Sequence, residues 1–210
     1  MQRLYPVTQL KMMCFFALLV AATAVTVGAV SVARDTCGTS VVPLYRMYNG
    51  AAFDHFYTTS ASEVITAVEN DGYVLEGVSA AVFPTQQGTT LPLYRLYSAG
   101  AHDHFYTSVA NRDSAPAVAF TDEMNHRTNP VERDFFTTNN GYKWEGTAAL
   151  VYTTQICGSV PLYRLYAASH VDHFYTTSAT ERASALALGF IDEGIVAYVP
   201  AKGIVTGDSV

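Results

Sequence analysis

Val160-Pro161-Leu162-Tyr163-Arg164-Leu165-Tyr166, Asp172-His173-Phe174-Tyr175-Thr176-Thr177, Gly189-Phe190 and Glu193-Gly194 form a phrase that this chain writes three times. The first copy runs Val42-Pro43-Leu44-Tyr45-Arg46-Met47-Tyr48, Asp54-His55-Phe56-Tyr57-Thr58-Thr59, Gly72-Tyr73 and Glu76-Gly77. The second runs Leu91-Pro92-Leu93-Tyr94-Arg95-Leu96-Tyr97, Asp103-His104-Phe105-Tyr106-Thr107, Gly141-Tyr142 and Glu145-Gly146. A repeat of this kind means that each unit is one supersecondary piece unable to bury its apolar face alone.

Within a unit, the Pro-Leu-Tyr-Arg-x-Tyr run is aromatic and branched with a leading proline, which reads as a strand. A short turn region separates it from the Asp-His-Phe-Tyr-Thr run, so the two form a hairpin. Ser60-Ala61-Ser62-Glu63 and Ser178-Ala179-Thr180-Glu181 then place Ser three residues before Glu, the capping-box signature of a helix start. Gly72 and Gly189 stand where a helix-ending glycine is expected. Glu76 to Phe83 and Glu193 to Val199 read as third strands. The expected fold is mostly β (α+β): a pseudo-threefold domain of three β-β-α-β units, closed as a barrel or in propeller fashion. A short helix is expected in the first and third units.

The second unit departs from this plan. Pro43 to Pro92 is 49 residues, but Pro92 to Pro161 is 69. The extra length falls between Ser108 and Gly141, where Ser114-Ala115-Pro116 interrupts the helix and residues 121–133 are the most polar stretch. Such an insertion reads as a surface loop.

Outside the repeats, residues 1–33 read as a signal peptide or an uncleaved signal anchor. Arg3 and Lys11 precede an apolar run from Met12 to Val32. The domain then occupies residues 34–200, with repeats at about 42–90, 91–159 and 160–200, and residues 201–210 form a tail. The chain carries 12 Lys and Arg against 18 Asp and Glu. Loss of the leader would leave a net charge of −8, with Lys143 and Lys202 as the only lysines. That balance argues against nucleic acid and anionic membranes as partners. Cys37 and Cys157 stand just before the first and third units and are expected to pair, as exported cysteines do. By the loop-closure argument such a bridge contributes about 4 kcal/mol.

The tandem motif resembles a secreted repeat domain found in fungi and bacteria and catalogued as of unknown function. The resemblance covers about residues 42 to 200. Bacterial relatives often carry the domain beside wall-degrading or other hydrolytic modules, which implies a targeting or binding role and supplies no catalytic residues.

Every unit spends charge at the same places. Arg46, Arg95 and Arg164 with Glu76, Glu145 and Glu193 are expected to form structural ion pairs, since Arg suits bidentate pairing with a carboxylate. Strand alternation puts Asp54 and His55 on opposite faces, so the two cannot reach one ion together. Asp54, His55, Tyr57, Asp103, His104, Tyr106, Asp172, His173 and Tyr175 are the expected ligand-binding residues. Sugars use planar polar partners for their hydroxyls and aromatic rings for their C–H faces. Three equivalent weak sites would add avidity on a polymer. No catalytic residue, metal or cofactor is expected. A His₃ zinc site lacks the right local spacings, and no known catalytic signature is present. The expected function is lectin-like binding of carbohydrate or cell-wall polymer by an extracellular protein. The rival is a structural or partner-binding protein that uses the 121–133 insertion. A hydrolase built on Asp103 and Glu145 ranks below both.

Overall fold

The computed structural model describes residues 37–108 and 132–201. The leader, most of the insertion and the tail lie outside these residues. Each unit is a three-stranded antiparallel sheet with one helix. The first contains β1 (Val42–Asn49), β2 (Asp54–Thr58), α1 (Ala61–Asn70) and β3 (Val74–Val82). The second contains β4 (Leu91–Ser98), β5 (Asp103–Ser108), α2 (Glu132–Asn139) and β6 (Lys143–Val151). The third contains β7 (Val160–Ala167), β8 (Asp172–Thr176), α3 (Ala179–Ala187) and β9 (Ile191–Val199). In each sheet the first strand is central, as in the order β2-β1-β3.

Two expectations require correction. The strands do not close into a barrel or propeller: hydrogen-bonded ladders stop at the edge of each three-stranded sheet. Among the described residues, only the isolated bridges Phe83↔Leu150 and Tyr152↔Tyr198 link backbone to backbone between units. The physical reason lies in three tyrosines. The Tyr106 hydroxyl accepts from Tyr57 N–H and donates to the Tyr57 carbonyl, at 2.8 and 2.7 Å. Tyr175 does the same for Tyr106, and Tyr57 for Tyr175, at 2.7–3.0 Å. Side-chain hydroxyls thus satisfy the free inner edges of β2, β5 and β8, where a continuous barrel would need another strand. The rings pack edge to face at 5.3–5.4 Å, and burial pushes all three phenols well up, so they stay O–H donors.

The second correction concerns the helix of the second unit. It is present as α2 and begins at Glu132, so the insertion sits between β5 and α2. Glu132 and Arg133 therefore belong to a helix rather than to a working loop.

Each sheet buries both faces. Leu44, Leu93 and Leu162 join the tyrosine trio and the small residues Ala80, Ala149 and Ala197 in one central core drawn from all three units. On the opposite face of the first sheet, Met47 and Phe56 pack under Ala67 of α1. Leu96, Phe105 and Tyr142 form the matching cluster of the second unit, with Phe136 of α2 packed against it.

The recurrent Glu-Gly has a backbone cause. Arg46 is in register with Gly77, where the β1–β3 ladder shifts. Gly77, Gly146 and Gly194 have φ of +120°, +124° and +87°, a region open to glycine. The bulge re-aims the preceding Glu onto the Arg of the central strand.

Cys37 and Cys157 form a disulfide across 120 residues, with Cα atoms 5.6 Å apart. It ties the segment before β1 to the segment before β7. The same segment is held by Gly38 N–H donating to the Tyr152 hydroxyl and by Gln87 bonding Thr39 and Ser40.

Candidate functional site

Cross-strand register sorts the polar residues by face. Tyr48 pairs with His55 and Arg46 with Tyr57, while Met47 pairs with Phe56 and Asn49 with Asp54. Arg and His therefore lie on one face of each sheet, and Asp lies on the helix-bearing face. Two faces of opposite charge on every unit favour head-to-tail association, and the observed contacts run that way.

Asp54 of the first unit accepts from the His104 backbone N–H at 2.8 Å and lies 2.6 Å from His104 Nδ1. Asp103 holds His173 in the same manner, and Asp172 holds His55. Each imidazole Nε2 is 3.7–3.9 Å from the Glu of its own unit, and a Tyr of its own unit packs over the ring. Asp54 also accepts from Tyr73 and Asp103 from Tyr142. Phe190 stands at the third such position, so Asp172 has no hydroxyl there. The residues preceding the aspartates, Phe53, His102 and Val171, all have φ near +56°. This left-handed backbone costs roughly 1–2 kcal/mol in a side-chain-bearing residue and sets the aim of the carboxylate.

The arginines repeat the cycle. Arg46 Nε is 2.7 Å from Glu76 of its own unit, and its two terminal nitrogens donate to Glu181 of α3 at 3.0 and 3.2 Å. Arg95 lies 2.8 Å from Glu145 and donates twice to Glu63 of α1. Arg164 lies 2.7 Å from Glu193 and donates twice to Glu132 of α2. Burial works against each guanidinium charge, yet the paired carboxylates hold all three above their usual value. The capping-box glutamates are thus diverted. The Ser60 and Ser178 side chains accept from Glu63 and Glu181 N–H, while those carboxylates turn to Thr58 and Thr176 and to the next unit. A third set of bonds, Thr59 to Ala148, Ser108 to Val196 and Thr177 to Ser79, follows the same order.

The expected ligand-binding residues are therefore placed at the junctions, in contact with one another. Asp54, Asp103, Asp172, His55, His173 and the tyrosine trio are buried, and His104 is only partly exposed. They do not form three shallow surface sites. Asp54 and His55 serve different neighbours, as their opposite faces require. Aspartates rather than imidazoles converge: one oxygen from each of Asp54, Asp103 and Asp172 lies within 4.8 Å of the others. At that spacing carboxylates repel, and two nitrogens of the adjoining histidine on each offset the repulsion. Asp103 and Glu145 share no site, since Asp103 faces His173 and Glu145 faces Arg95.

Glu63 gives this network a pH signature. Hydrogen bonds from Arg95 hold its carboxyl below the usual range. A depressed folded pKa contributes stability fully above the unfolded value of about 4.3, and that contribution is lost as pH falls through the folded value. Thermal melts are expected to weaken from about pH 4 downward, and Glu63→Gln is expected to flatten part of that slope. An unchanged slope in the variant would contradict the assignment.

One junction also carries a groove, of about 580 Å³, between α1 of the first unit and β4–β5 of the second. Sequence reasoning missed it, because its walls are brought together only by the packing of two units. Tyr73, Tyr97, His102 and Phe56 supply rings, and Asn49 and Asp71 supply polar edges.

Three latched copies of one β-β-α-β unit define an internal-repeat domain. The chain matches a domain of unknown function, DUF5648, over residues 26–126 and 120–200, and it belongs to that family. The first stretch contains the first unit and the second unit's hairpin, and the other contains α2, β6 and the third unit. No curated protein and no solved structure gives a significant match.

Proposed function

We propose that the protein is an exported, non-enzymatic carbohydrate-binding protein that takes a wall glycan in the groove between its first and second units. The observation that carries this reading is the groove's chemistry. Tyr97 and the exposed His102 offer faces for a pyranose C–H surface, and the exposed carboxylate of Asp71 offers a planar partner for hydroxyls. Burial raises the Tyr97 phenol, so it stays neutral and able to donate. The latches on either side make the walls rigid, which limits the ordering cost of binding. Among the described residues, the polar groups that recur by symmetry are occupied with one another. That arrangement favours binding at an asymmetric place over catalysis at a symmetric one.

Retention on insoluble polysaccharides, followed by titration calorimetry with the matching oligosaccharide, tests the reading. Binding in the micromolar to millimolar range is expected for one shallow site, roughly −8 to −4 kcal/mol. No retention on any wall polymer at high protein concentration would remove it.

A further inference from the structure

The three junctions are built alike, yet each of the other two carries a ring at a position where the first has an alanine. The walls of the first junction include two alanines, Ala52 at the tip of the β1–β2 turn and Ala67 on α1. Counting from the recurrent Asp, Ala52 corresponds to His170 in the third unit. Counting from the helix Glu, Ala67 corresponds to Phe136 in the second. His170 stacks on Phe53 with ring centroids 3.9 Å apart, and Phe53 is the counterpart of His102. Phe136 stacks on Phe105 at 4.1 Å, and Phe105 is the counterpart of the groove residue Phe56. At each of the other two junctions a ring thus stands where the first has one of these two alanines.

The charge of this opening is one-sided. Glu63, Asp71 and Glu145 line it against the single guanidinium of Arg95. Arg95 is already committed to Glu63 and Glu145, and its guanidinium lies over the Phe56 ring. Asp71, exposed at the C-cap of α1, makes no ion pair among the described residues. Asp54 adds a further buried negative charge behind Tyr73. Among the residues that line it, an anionic saccharide would meet three carboxylates and one guanidinium that is already paired. A saccharide bearing ammonium groups would meet acids at the rim and the face of Tyr97, both of which attract a cation.

We infer that the groove between the first and second units selects an amine-bearing glycan, a polymer of unacetylated amino sugar, over its acetylated and acidic counterparts. This inference rests on the carbohydrate-binding reading above and narrows it to one ligand class and one of three related junctions.

Titration calorimetry with three oligomers of equal length tests it: β-1,4-glucosamine, its N-acetylated form and α-1,4-galacturonate. The glucosamine oligomer is expected to bind at least about tenfold more tightly than the acetylated one, with affinity falling as salt rises, and the galacturonate to bind not at all. Ala52→His with His102→Phe grafts the stack of the third junction into the first. That variant should lose at least about tenfold in affinity while keeping its melting temperature and near-ultraviolet circular dichroism. Asp71→Asn, at an exposed cap, should weaken glucosamine binding and its salt dependence without touching the packing, and serves where the double variant fails to fold. Equal affinity for free-amine and acetylated oligomers overturns the charge selection. Undiminished binding by a folded double variant overturns the site, and an unchanged Asp71→Asn affinity overturns the role of the rim acid. If no oligomer or wall polymer binds the unaltered protein, the carbohydrate reading itself fails, which is a different result from any of these.

Discussion

Tyr106→Phe is expected to destabilise the domain by about 2–6 kcal/mol, taking about 1–3 kcal/mol for each buried group left without a partner. The phenol oxygen does two jobs at one point, accepting Tyr57 N–H and donating to the Tyr57 carbonyl. Removing it strands both groups where water does not reach, since Tyr57 and Tyr106 are each only 1% exposed. The ring itself stays, so the edge-to-face packing against Tyr57 and Tyr175 is retained and the loss reports the hydroxyl alone. Tyr97→Phe is the control, because that phenol is only half-buried and lines the groove. Its melting temperature should move little. Equal, small shifts for both variants would mean that the tyrosine trio does not take the place of strand pairing.

Asp103→Ala comes next, at several kcal/mol, taking about 1–3 kcal/mol for each buried donor left without its partner. The carboxylate is completely buried and accepts from His173 N–H, His173 Nδ1 and the Tyr142 hydroxyl. Its loss leaves all three donors unanswered at the junction of the second and third units. Asp172→Ala is expected to cost less, because Phe190 supplies no hydroxyl to that carboxylate. Alanine at Asp54, Asp103 and Asp172 together should therefore unfold the domain rather than merely silence binding. Urea unfolding followed by tyrosine and tryptophan fluorescence measures each step. A folded triple variant of near-native stability would contradict the account.

These two variants mark what could be read from the sequence and what could not. The hairpin of each unit was legible because Pro43, the Asn49-Gly50 turn and the alternation of Asp54 to Thr59 are local signals. The capping-box residues Ser60 and Glu63 announced α1 for the same reason. The third strands begin two residues earlier than expected, at Val74 and Ile191, a boundary shift with no change of plan. The destination of Glu63 was hidden, since its partner Arg95 is 32 residues away and belongs to another unit. Alternation placed Asp54 and His55 on opposite faces, and the register disposes them that way. The step that was missed is that opposite faces of like units attract one another, so acid and base meet between units. In α2 the local signal was obscured by the insertion, which separates the helix from β5 in sequence. The groove had no sequence signature. Ala52 and Ala67 are unremarkable until their counterparts, His170 and Phe136, are superposed on them.

The claim beneath all of this is that the recurrent Asp and His residues exist to hold unit to unit. A double-mutant cycle on Asp103 and His173, measured by urea unfolding, tests it most directly. The account predicts a coupling of about 1–3 kcal/mol, as for residues that share one buried hydrogen-bonded network. Single losses that simply add, with a coupling indistinguishable from zero, would show that the two residues act independently and would contradict it.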